Sequence, residues 1–156
     1  MHYRLSTIHP EKAYSSDITE IIEVNVADPI SVIIFKLKIG NTASAAPTAH
    51  ALECLQKIEL LDGSDVLFSL TGKQADALDY YHNGIQRSNW NAYLNGMDTE
   101  RYIGINFGRY LWDPILALDP KKFRNLQLKF TLDIDAGGCA PDENSVAIWA
   151  GLFDKR

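Results

Sequence analysis

Apolar and polar residues alternate along much of the chain, which predicts a protein built mainly from β-strands. Residues 31–39 read SVIIFKLKI, with both lysines on one face and large apolar residues on the other. Residues 125–135 read NLQLKFTLDID and alternate in the same way. A period of two is typical of half-buried antiparallel strands. The remaining strand candidates are 19–27, 53–61, 66–70, 101–107, 114–118 and 145–153.

The stretch 71–83 is the one convincing helix candidate in the sequence. Thr71 can cap its first turn, and Gln74 stands three residues later, as a capping box requires. Gly84 can end the helix in a left-handed conformation. We expect Tyr81 to dock this helix onto the strands.

The number and order of these elements predict the fold class. Eight strands, one helix and no β–α–β alternation argue against a parallel sheet. We therefore expect an all-β fold, an eight-stranded antiparallel jelly-roll sandwich with one short helix, over a single domain at residues 18–156. Residues 1–17 show no sustained period, so we expect an N-terminal arm that is loose or is ordered by a neighbouring molecule.

Composition and charge narrow the class of protein. The 156 residues are 46% apolar and 22% charged, as in ordinary globular domains. The net charge is −5, whereas nucleic-acid-binding proteins usually carry the opposite balance. No apolar run approaches the roughly 18–20 residues that span a bilayer, and no signal peptide is evident. Cys54 and Cys139 are too few for a disulfide framework, so we expect reduced thiols, with Cys54 packed in a strand.

The sequence contains no recognisable catalytic or metal-binding motif. The four histidines form no H-x-H or H-x-x-x-H pair, which argues against a cupin-type metal site. Residues 133–138 begin like a calcium loop, but Gly137 replaces the required acid or amide and Asn144 replaces the glutamate. Phosphate-binding glycine loops and nucleophile elbows are also lacking. We therefore expect no catalytic residues, no bound metal and no cofactor. A loose calcium site with Asp142 or Glu143 is the alternative to a strand end followed by a turn.

Aromatic residues and arginines supply the candidate binding residues. Residues 85–100 are polar and aromatic and predict a long loop, which in a compact domain is usually functional. Trp90 and Tyr93 suit a subunit interface, where tryptophan, tyrosine and arginine are enriched. Together with Trp112 they also suit a carbohydrate groove in which flat rings stack on sugars. The predicted interface residues are Tyr3, Arg4, Arg87, Trp90, Tyr93 and Trp112.

The order of these pieces resembles a known family of viral proteins. The strand sequence IELLDG at 58–63 is followed by LFSL at 67–70 and by the helical TGKQADALDYY at 71–81. Residues 118–128, LDPKKFRNLQL, are similar to the segment that leads such a domain into its penultimate strand. Over residues 18–155 the chain resembles the first jelly roll of the major capsid proteins of the double jelly-roll lineage. These proteins build the shells of tailless icosahedral viruses.

The resemblance implies a structural capsid subunit that self-assembles into the virion shell and is not an enzyme. Its partners would be copies of itself in trimers, pseudo-hexamers or larger arrays, with other capsid proteins or an internal membrane as further partners and no direct nucleic acid. The chain would lie in the virion and, during assembly, in the host cytoplasm. The alternatives are a carbohydrate-binding jelly-roll module or receptor-binding spike, and a metal-dependent cupin-like enzyme.

Two features depart from that family. Its members carry two jelly rolls in one chain, whereas this chain has room for one, so it is either a single jelly-roll capsid protein or half of a double one. Jelly-roll sheets mostly pair strands that are distant in sequence. A tight turn at Asp62-Gly63 would therefore add a local hairpin to the minimal eight strands or mark a corner between sheets.

Overall fold

A computed structural model describes residues 2–41, 47–84, 96–137 and 144–154, which form eight strands and one α-helix. The strands are β1 (His2–Tyr14), β2 (Ile18–Glu23), β3 (Ile30–Asn41), β4 (Leu55–Asp62), β5 (Asp65–Leu70), β6 (Met97–Asn106), β7 (Leu126–Leu132) and β8 (Asn144–Asp154). The helix α1 spans Gly72–Asn83, and short 3₁₀ helices span Ala51–Glu53 and Pro120–Lys122. Strands β2 to β8 overlap predicted segments, whereas β1 does not.

The strands form two antiparallel sheets whose order defines a jelly roll. One sheet has the order β1-β8-β3-β6 and the other β2-β7-β4-β5. Among the described strands, β4 and β5 are the one consecutive pair that also lie side by side. This interleaving confirms the predicted eight-stranded antiparallel jelly-roll sandwich. The hairpin at Asp62-Gly63 joins two of the eight strands, so the expectation that it adds a hairpin or marks a corner is wrong.

The hydrophobic core lies between the two sheets. Alternate residues of β7 are buried, and a matching row is buried on β3. Phe35 and Phe130 meet edge to face across the core, with ring centroids 5.4 Å apart. Full burial of such a side chain contributes about 1.5–3 kcal/mol. The alternation in the sequence therefore identifies the side chains that face the opposite sheet.

The N-terminal segment belongs to the sandwich. The expected arm over residues 1–17 is wrong for its described part, because His2–Tyr14 pairs with β8 as an edge strand. Residues 2–7 pair one by one with β8, and the register then shifts on either side of His9. Most of β1 is exposed, and its shifts interrupt the period of two. The pattern that predicts half-buried strands is therefore weak here.

The segment between β6 and β7 contains no strand. Residues 114–118, predicted as a strand, form turns, and Leu118 makes an isolated bridge to Ile30. Pro114 has no N–H to donate to a strand ladder. Ile115 is 75% exposed, so this apolar run points partly towards solvent. The hydrophobic run is a surface feature, which a pattern of residue types alone does not distinguish from a buried strand.

The helix α1 has the predicted bounds but docks through other residues. The capping box is present, because Thr71 Oγ1 accepts from Gln74 N–H while the Gln74 side chain accepts from Thr71 N–H. Tyr81 is 83% exposed, so its predicted docking role is wrong. The buried helix residues are Gly72, Ala75 and Asp79. Asp79 Oδ2 accepts a hydrogen bond of 2.8 Å from Gly104 N–H of β6, so a polar residue takes the buried face.

The described cysteine is a buried thiol. Cys54 follows the first 3₁₀ helix and directly precedes β4, so its predicted place inside a strand is wrong by one position. Its Sγ lies 3.7 Å from the Ile134 carbonyl oxygen, to which the thiol donates. Cys139 lies outside the described residues.

Candidate assembly surface

Three aromatic rings cluster on the outer face of the β1-β8-β3-β6 sheet. Tyr3 lies on β1, Phe153 on β8, and Trp112 on the segment between β6 and β7. The Tyr3 and Trp112 ring centroids are 4.3 Å apart, and Phe153 lies 5.5 Å from each of them in edge-to-face geometry. Such pairs contribute about 0.5–1.5 kcal/mol beyond area burial. The cluster therefore holds the 107–118 segment against the sheet.

An apolar groove opens beside this cluster. Its volume is about 230 Å³, and its apolar lining includes Tyr3, Leu5, Val32, Ile34, Leu111 and Trp112. Tyr3 is 51% exposed and Leu5 is 62% exposed. Large apolar side chains that are this exposed and this close together mark interaction surfaces more often than chance exposure does.

Backbone contacts fix Trp112 in the groove wall. Trp112 has a positive φ of 68°, and its N–H donates a 2.7 Å hydrogen bond to Oγ of the buried Ser31. A Cβ on Gly151 would stand 2.8 Å from Val32 Cγ1 and 3.2 Å from Trp112 Cη2. Glycine at this position of β8 therefore leaves the space that the indole ring occupies.

A buried carboxylate organises the rest of the 107–118 segment. Asp113 is fully buried, and its Oδ2 accepts from Arg109 N–H at 3.1 Å and from Arg109 Nε at 3.0 Å. Its Oδ1 accepts from the N–H groups of Ile115 and Leu116. The Arg109 guanidinium and these N–H donors hold the pKa of Asp113 at about 2. Gly108 has a φ of 114°, and a Cβ there would stand 2.6 Å from Asp113 Cβ.

The segment held by Asp113 presents apolar side chains to solvent. Their exposed fractions are 55% for Tyr110, 40% for Leu111, 75% for Ile115 and 53% for Leu116. Together with Tyr3 and Leu5 they form what is called here the Trp112 surface. An ordered loop that exposes several large apolar residues is suited to contact another protein surface.

The charges around the Trp112 surface are compensated within the chain. Arg4 pairs with Asp28 at 2.9 Å, and Arg109 pairs with Asp113 at 3.0 Å. Asp119 and Lys122, which line a cavity together with Ile115, add one acid and one base, so the charged groups beside this surface sum to little net charge although the whole chain carries −5. A neutral apolar surface on an acidic chain is where contact with another copy meets the least repulsion.

The structure brings together half of the predicted interface residues. Tyr3, Arg4 and Trp112 all line the same groove. The predicted loop 85–100 ends earlier than expected, because β6 begins at Met97. Its three candidates lie outside the described residues, namely Arg87, Trp90 and Tyr93.

Sequence reasoning missed the residues that build this surface. Leu5 lies in the segment expected to be an arm, and Ile115 and Leu116 lie in the run expected to be a strand. Asp113 and Gly151 carried no signal, because their roles depend on contacts between segments distant in the chain. An apolar run that begins with proline and lies between two turn signals was the available indication that 114–118 is a surface loop.

A cluster of titratable groups joins the two sheets away from the Trp112 surface. Tyr14 of β1 donates to Glu20 of β2, Lys12 pairs with Glu20 at 2.7 Å, and His9 Nε2 lies 3.1 Å from Tyr14 Oη. Burial lowers the pKa of His9. Burial, followed by the hydrogen bond to Glu20, raises the pKa of Tyr14. Each polar group has a partner within the cluster, so its evident role is to connect β1 and β2.

The contact between Tyr3 and Trp112 bears on the alternative of sugar binding. Tyr3 packs against the Trp112 ring at 4.3 Å, so a sugar stacking there would compete with Tyr3. Across the described ranges, no group of three metal-ligating side chains comes together. The helix in this part of the chain is also too short and too polar to cross a bilayer.

Comparisons with known proteins relate the fold to viral capsids. The sequence matches no protein-family model and no curated protein. The STIV MCP aligns with 100% of the chain at a TM-score of 0.72 and 18% identity. PBCV-1 VP54 aligns with 99% at 0.67 and 17%. The major capsid protein P2 of bacteriophage PM2 aligns with 97% at 0.63 and 10%.

These similarities establish the class of fold. The chain has the jelly-roll fold found in viral major capsid proteins of the double jelly-roll lineage, so the resemblance in the sequence is confirmed at the level of fold. The chain spans 50% of the STIV protein, 43% of the PBCV-1 protein and 51% of the PM2 protein. It therefore corresponds to about half the length of these capsid proteins.

Proposed function

We propose that this chain is a structural subunit of a viral capsid, which assembles with copies of itself into the virion shell and performs no catalysis. The observation that carries the proposal is the match of the entire chain to the STIV MCP, at a TM-score of 0.72. Because a fold hosts more than one function, a capsid role also requires a site through which copies of the chain can contact each other. The Trp112 surface supplies one.

The Trp112 surface supports an assembly role through its chemistry. Tyr3, Trp112 and Arg4 are residue types enriched at interfaces, and the surrounding ion pairs are internal to the chain. Assembly is favoured by surfaces that are ordered before contact, since ordering a loop on binding costs affinity. Asp113 and Ser31 provide that order in the unassembled chain.

The proposal includes the form of the assembly. Copies of the chain form trimers, pseudo-hexamers or larger arrays, with other capsid proteins or an internal membrane as further partners. The acidic net charge of −5 suits a shell that does not bind the genome directly. The subunits assemble in the host cytoplasm and reside in the virion.

Light scattering after size-exclusion chromatography, combined with electron microscopy, tests the proposal. We expect masses of three or more copies of the 17.5 kDa chain, or visible arrays, at high protein concentration. The double change Ile115→Lys and Leu116→Lys should shift the distribution towards the monomer, because it places two charges in an apolar contact. The double change Tyr80→Lys and Tyr81→Lys is the matched control, since it adds the same two charges at exposed aromatic residues on α1.

Two outcomes contradict the proposal. The first is a strictly monomeric wild-type chain at the highest concentration that remains in solution. The second is a glycan array on which the monomer binds a sugar and loses that binding in Trp112→Ala, which would support the carbohydrate-binding module instead.

A further inference from the structure

The four edge strands of the sandwich differ in how they are protected against pairing with another chain. An edge strand exposes unpaired N–H and C=O groups, and proteins usually blunt such edges by covers, charges or bulges. The edges here are β1 and β6 in one sheet and β2 and β5 in the other. Three of them carry a recognisable protection, and β1 carries its register shifts and Pro10 only in its second half.

The edge of β6 is covered by the helix α1. Asp79 of the helix accepts a hydrogen bond from the backbone N–H of Gly104 at 2.8 Å, so this N–H donor on the edge of β6 already has a partner. Arg101 of β6 also pairs with Asp76 of the helix at 2.8 Å. Another strand cannot approach β6 here without displacing α1.

The edges of β2 and β5 are protected in other ways. The six residues of β2 include Glu20 and Glu23, and Glu20 is engaged by Lys12. A second copy of β2 would bring these acids close to their own like charges. In β5, Leu67 is the extra residue between the pairs Leu60–Phe68 and Leu61–Val66, which places a bulge in the middle of the strand.

The first half of β1 has none of these protections. Residues 2–7 pair with β8 without interruption, from His2 opposite Asp154 to Thr7 opposite Trp149. Within the described ranges, the backbone of these residues makes no hydrogen bond outside that ladder. Arg4 supplies the one full charge of the stretch and is already paired with Asp28. Tyr3 and Leu5 are exposed apolar side chains on the same face.

We propose that residues 2–7 of β1 pair in antiparallel register with the same residues of a second copy, joining two β1-β8-β3-β6 sheets across a two-fold axis. The proposal rests on the proposed function only in taking a second copy as the partner. Antiparallel pairing of identical strands is isologous, so the same hydrogen bonds form twice. The joined sheet also brings the two Trp112 surfaces next to each other.

Charge and side-chain size favour a register centred on Leu5. In this register Leu5 faces Leu5 of the second copy, Tyr3 faces Thr7, and Arg4 faces Ser6. A register centred on Arg4 would place two guanidinium groups opposite each other, which is destabilising. A register centred on Tyr3 would leave too few residues to pair. The Leu5-centred register buries the most exposed apolar residue of the stretch and separates the like charges.

Disulfide trapping tests the register directly. Directly opposed residues in antiparallel strands have Cα atoms about 4.5–5.5 Å apart, which suits a disulfide. In a Cys139→Ser background, Leu5→Cys should form a covalent dimer on oxidation with copper phenanthroline. Tyr3→Cys and Thr7→Cys should each remain largely monomeric alone and should form a covalent dimer when mixed. Cys54 is fully buried, so it should not form a cross-link and is kept in every variant.

A second variant tests the same contact without a cross-link. Leu5→Lys places two like charges at the centre of the register and should raise the dimer dissociation constant by more than roughly tenfold. Circular dichroism should show an unchanged fold, because Leu5 is 62% exposed. Tyr81→Lys, which lies on α1, should leave the dissociation constant unchanged.

The outcomes separate this proposal from the capsid proposal. If the wild-type chain assembles but Leu5→Cys gives no covalent dimer and Leu5→Lys assembles equally well, the β1 pairing is overturned and the capsid role stands. If Leu5→Cys gives a covalent dimer but the wild-type chain forms nothing larger than a dimer, the pairing stands and the capsid role is contradicted. Cross-linking of Leu5→Cys to a cysteine at Val66 on β5 would also overturn the self-pairing, because it would identify β5 as the partner edge.

Discussion

At the scale of single residues, Asp113 determines the course of the segment that carries the Trp112 surface. Its two carboxylate oxygens accept hydrogen bonds from the backbone of Arg109, Ile115 and Leu116, and the carboxylate is fully buried. A buried carboxylate with several donors is stabilised as the anion. The apolar side chains of the segment therefore reach solvent because a polar side chain fills the space beneath them.

This arrangement predicts that acid pH destabilises the segment that carries the Trp112 surface. Hydrogen bonding from Arg109, joined by backbone donors, lowers the pKa of Asp113 to about 2, from 3.8 in an unstructured chain. Because the folded-state pKa is depressed, the stabilisation is fully present above about pH 4 and is lost as the pH falls towards 2. We expect the emission of Trp112 to change over that window, in a chain where Trp90 and Trp149 are replaced by Phe.

Asp113→Asn provides the test of that assignment. The asparagine side chain lacks the negative charge, and its NH2 group would face the N–H donors of Arg109. The segment should therefore loosen at neutral pH, and the acid transition should disappear. Asp65→Asn, at an exposed position on β5, should leave both properties unchanged. An acid transition of Trp112 that persists in Asp113→Asn would show that another carboxylate holds the segment.

The residues that support Trp112 also show why the surface could be predicted only in part. Tyr3, Arg4 and Trp112 were identified because their residue types are common at interfaces, and the structure places them along one groove. Ser31 supports Trp112 from 81 positions away, and Gly151 leaves space for its ring. Serine and glycine are common residue types, and Ser31 and Gly151 show no distinctive spacing in the sequence. Their roles therefore follow from the fold alone.

At the scale of elements, the hydrophobic alternation predicts a strand wherever one face is buried. It succeeds for β3 and β7, whose inner rows fill the core. It fails for β1, because an edge strand with register shifts has no continuous buried row. It also fails for 114–118, where a run of apolar residues faces solvent. Secondary-structure patterns report burial, and they mislead where burial and strand formation are separated.

The close packing of α1 against the 51–55 segment predicts that a glycine-to-alanine change in this helix destabilises the protein, although such a change in a helix usually stabilises it. Glycine to alanine in a helix normally stabilises a protein by about 0.5–1 kcal/mol. At Gly72 a Cβ would stand 2.7 Å from the Leu52 carbonyl oxygen and 2.8 Å from that of Leu55. Both are backbone atoms, which cannot move aside cheaply. We therefore expect Gly72→Ala to lower the free energy of unfolding by roughly 1–3 kcal/mol in urea titrations.

Ala77→Gly is the control for the propensity of the same helix. Ala77 is exposed, so this change should cost about 1 kcal/mol through helix propensity alone. If Gly72→Ala raised the free energy of unfolding, the helix would lie farther from the 51–55 backbone than the structure places it. The buried glycine would then have no packing role.

For the molecule as a whole, the fold and the net charge together limit which functions the chain can perform. The strand order and the superposition on capsid proteins give the fold of the chain, and the pieces between 58 and 128 were enough to suggest that fold from the sequence. The pattern contained no information on which outer faces stay exposed. That depends on the packing of the 107–118 segment, and so the surface could not be located before the fold was known.

The response of assembly to salt follows from the same balance. Each copy carries −5, so copies repel one another over a distance comparable to the Debye length, about 10 Å at 0.1 M salt. The Trp112 surface is apolar, and its arginines are already paired within the chain, so its contacts gain little from intermolecular ion pairs. Raising the salt from about 0.05 M to about 0.5 M should screen the repulsion and leave the apolar attraction intact.

We therefore expect light scattering to show a larger average mass at high salt, and a smaller loss of assembly in Arg4→Gln than in Leu116→Lys. Dissociation at high salt would instead mean that ion pairs between copies hold the assembly together, because such contacts weaken with screening.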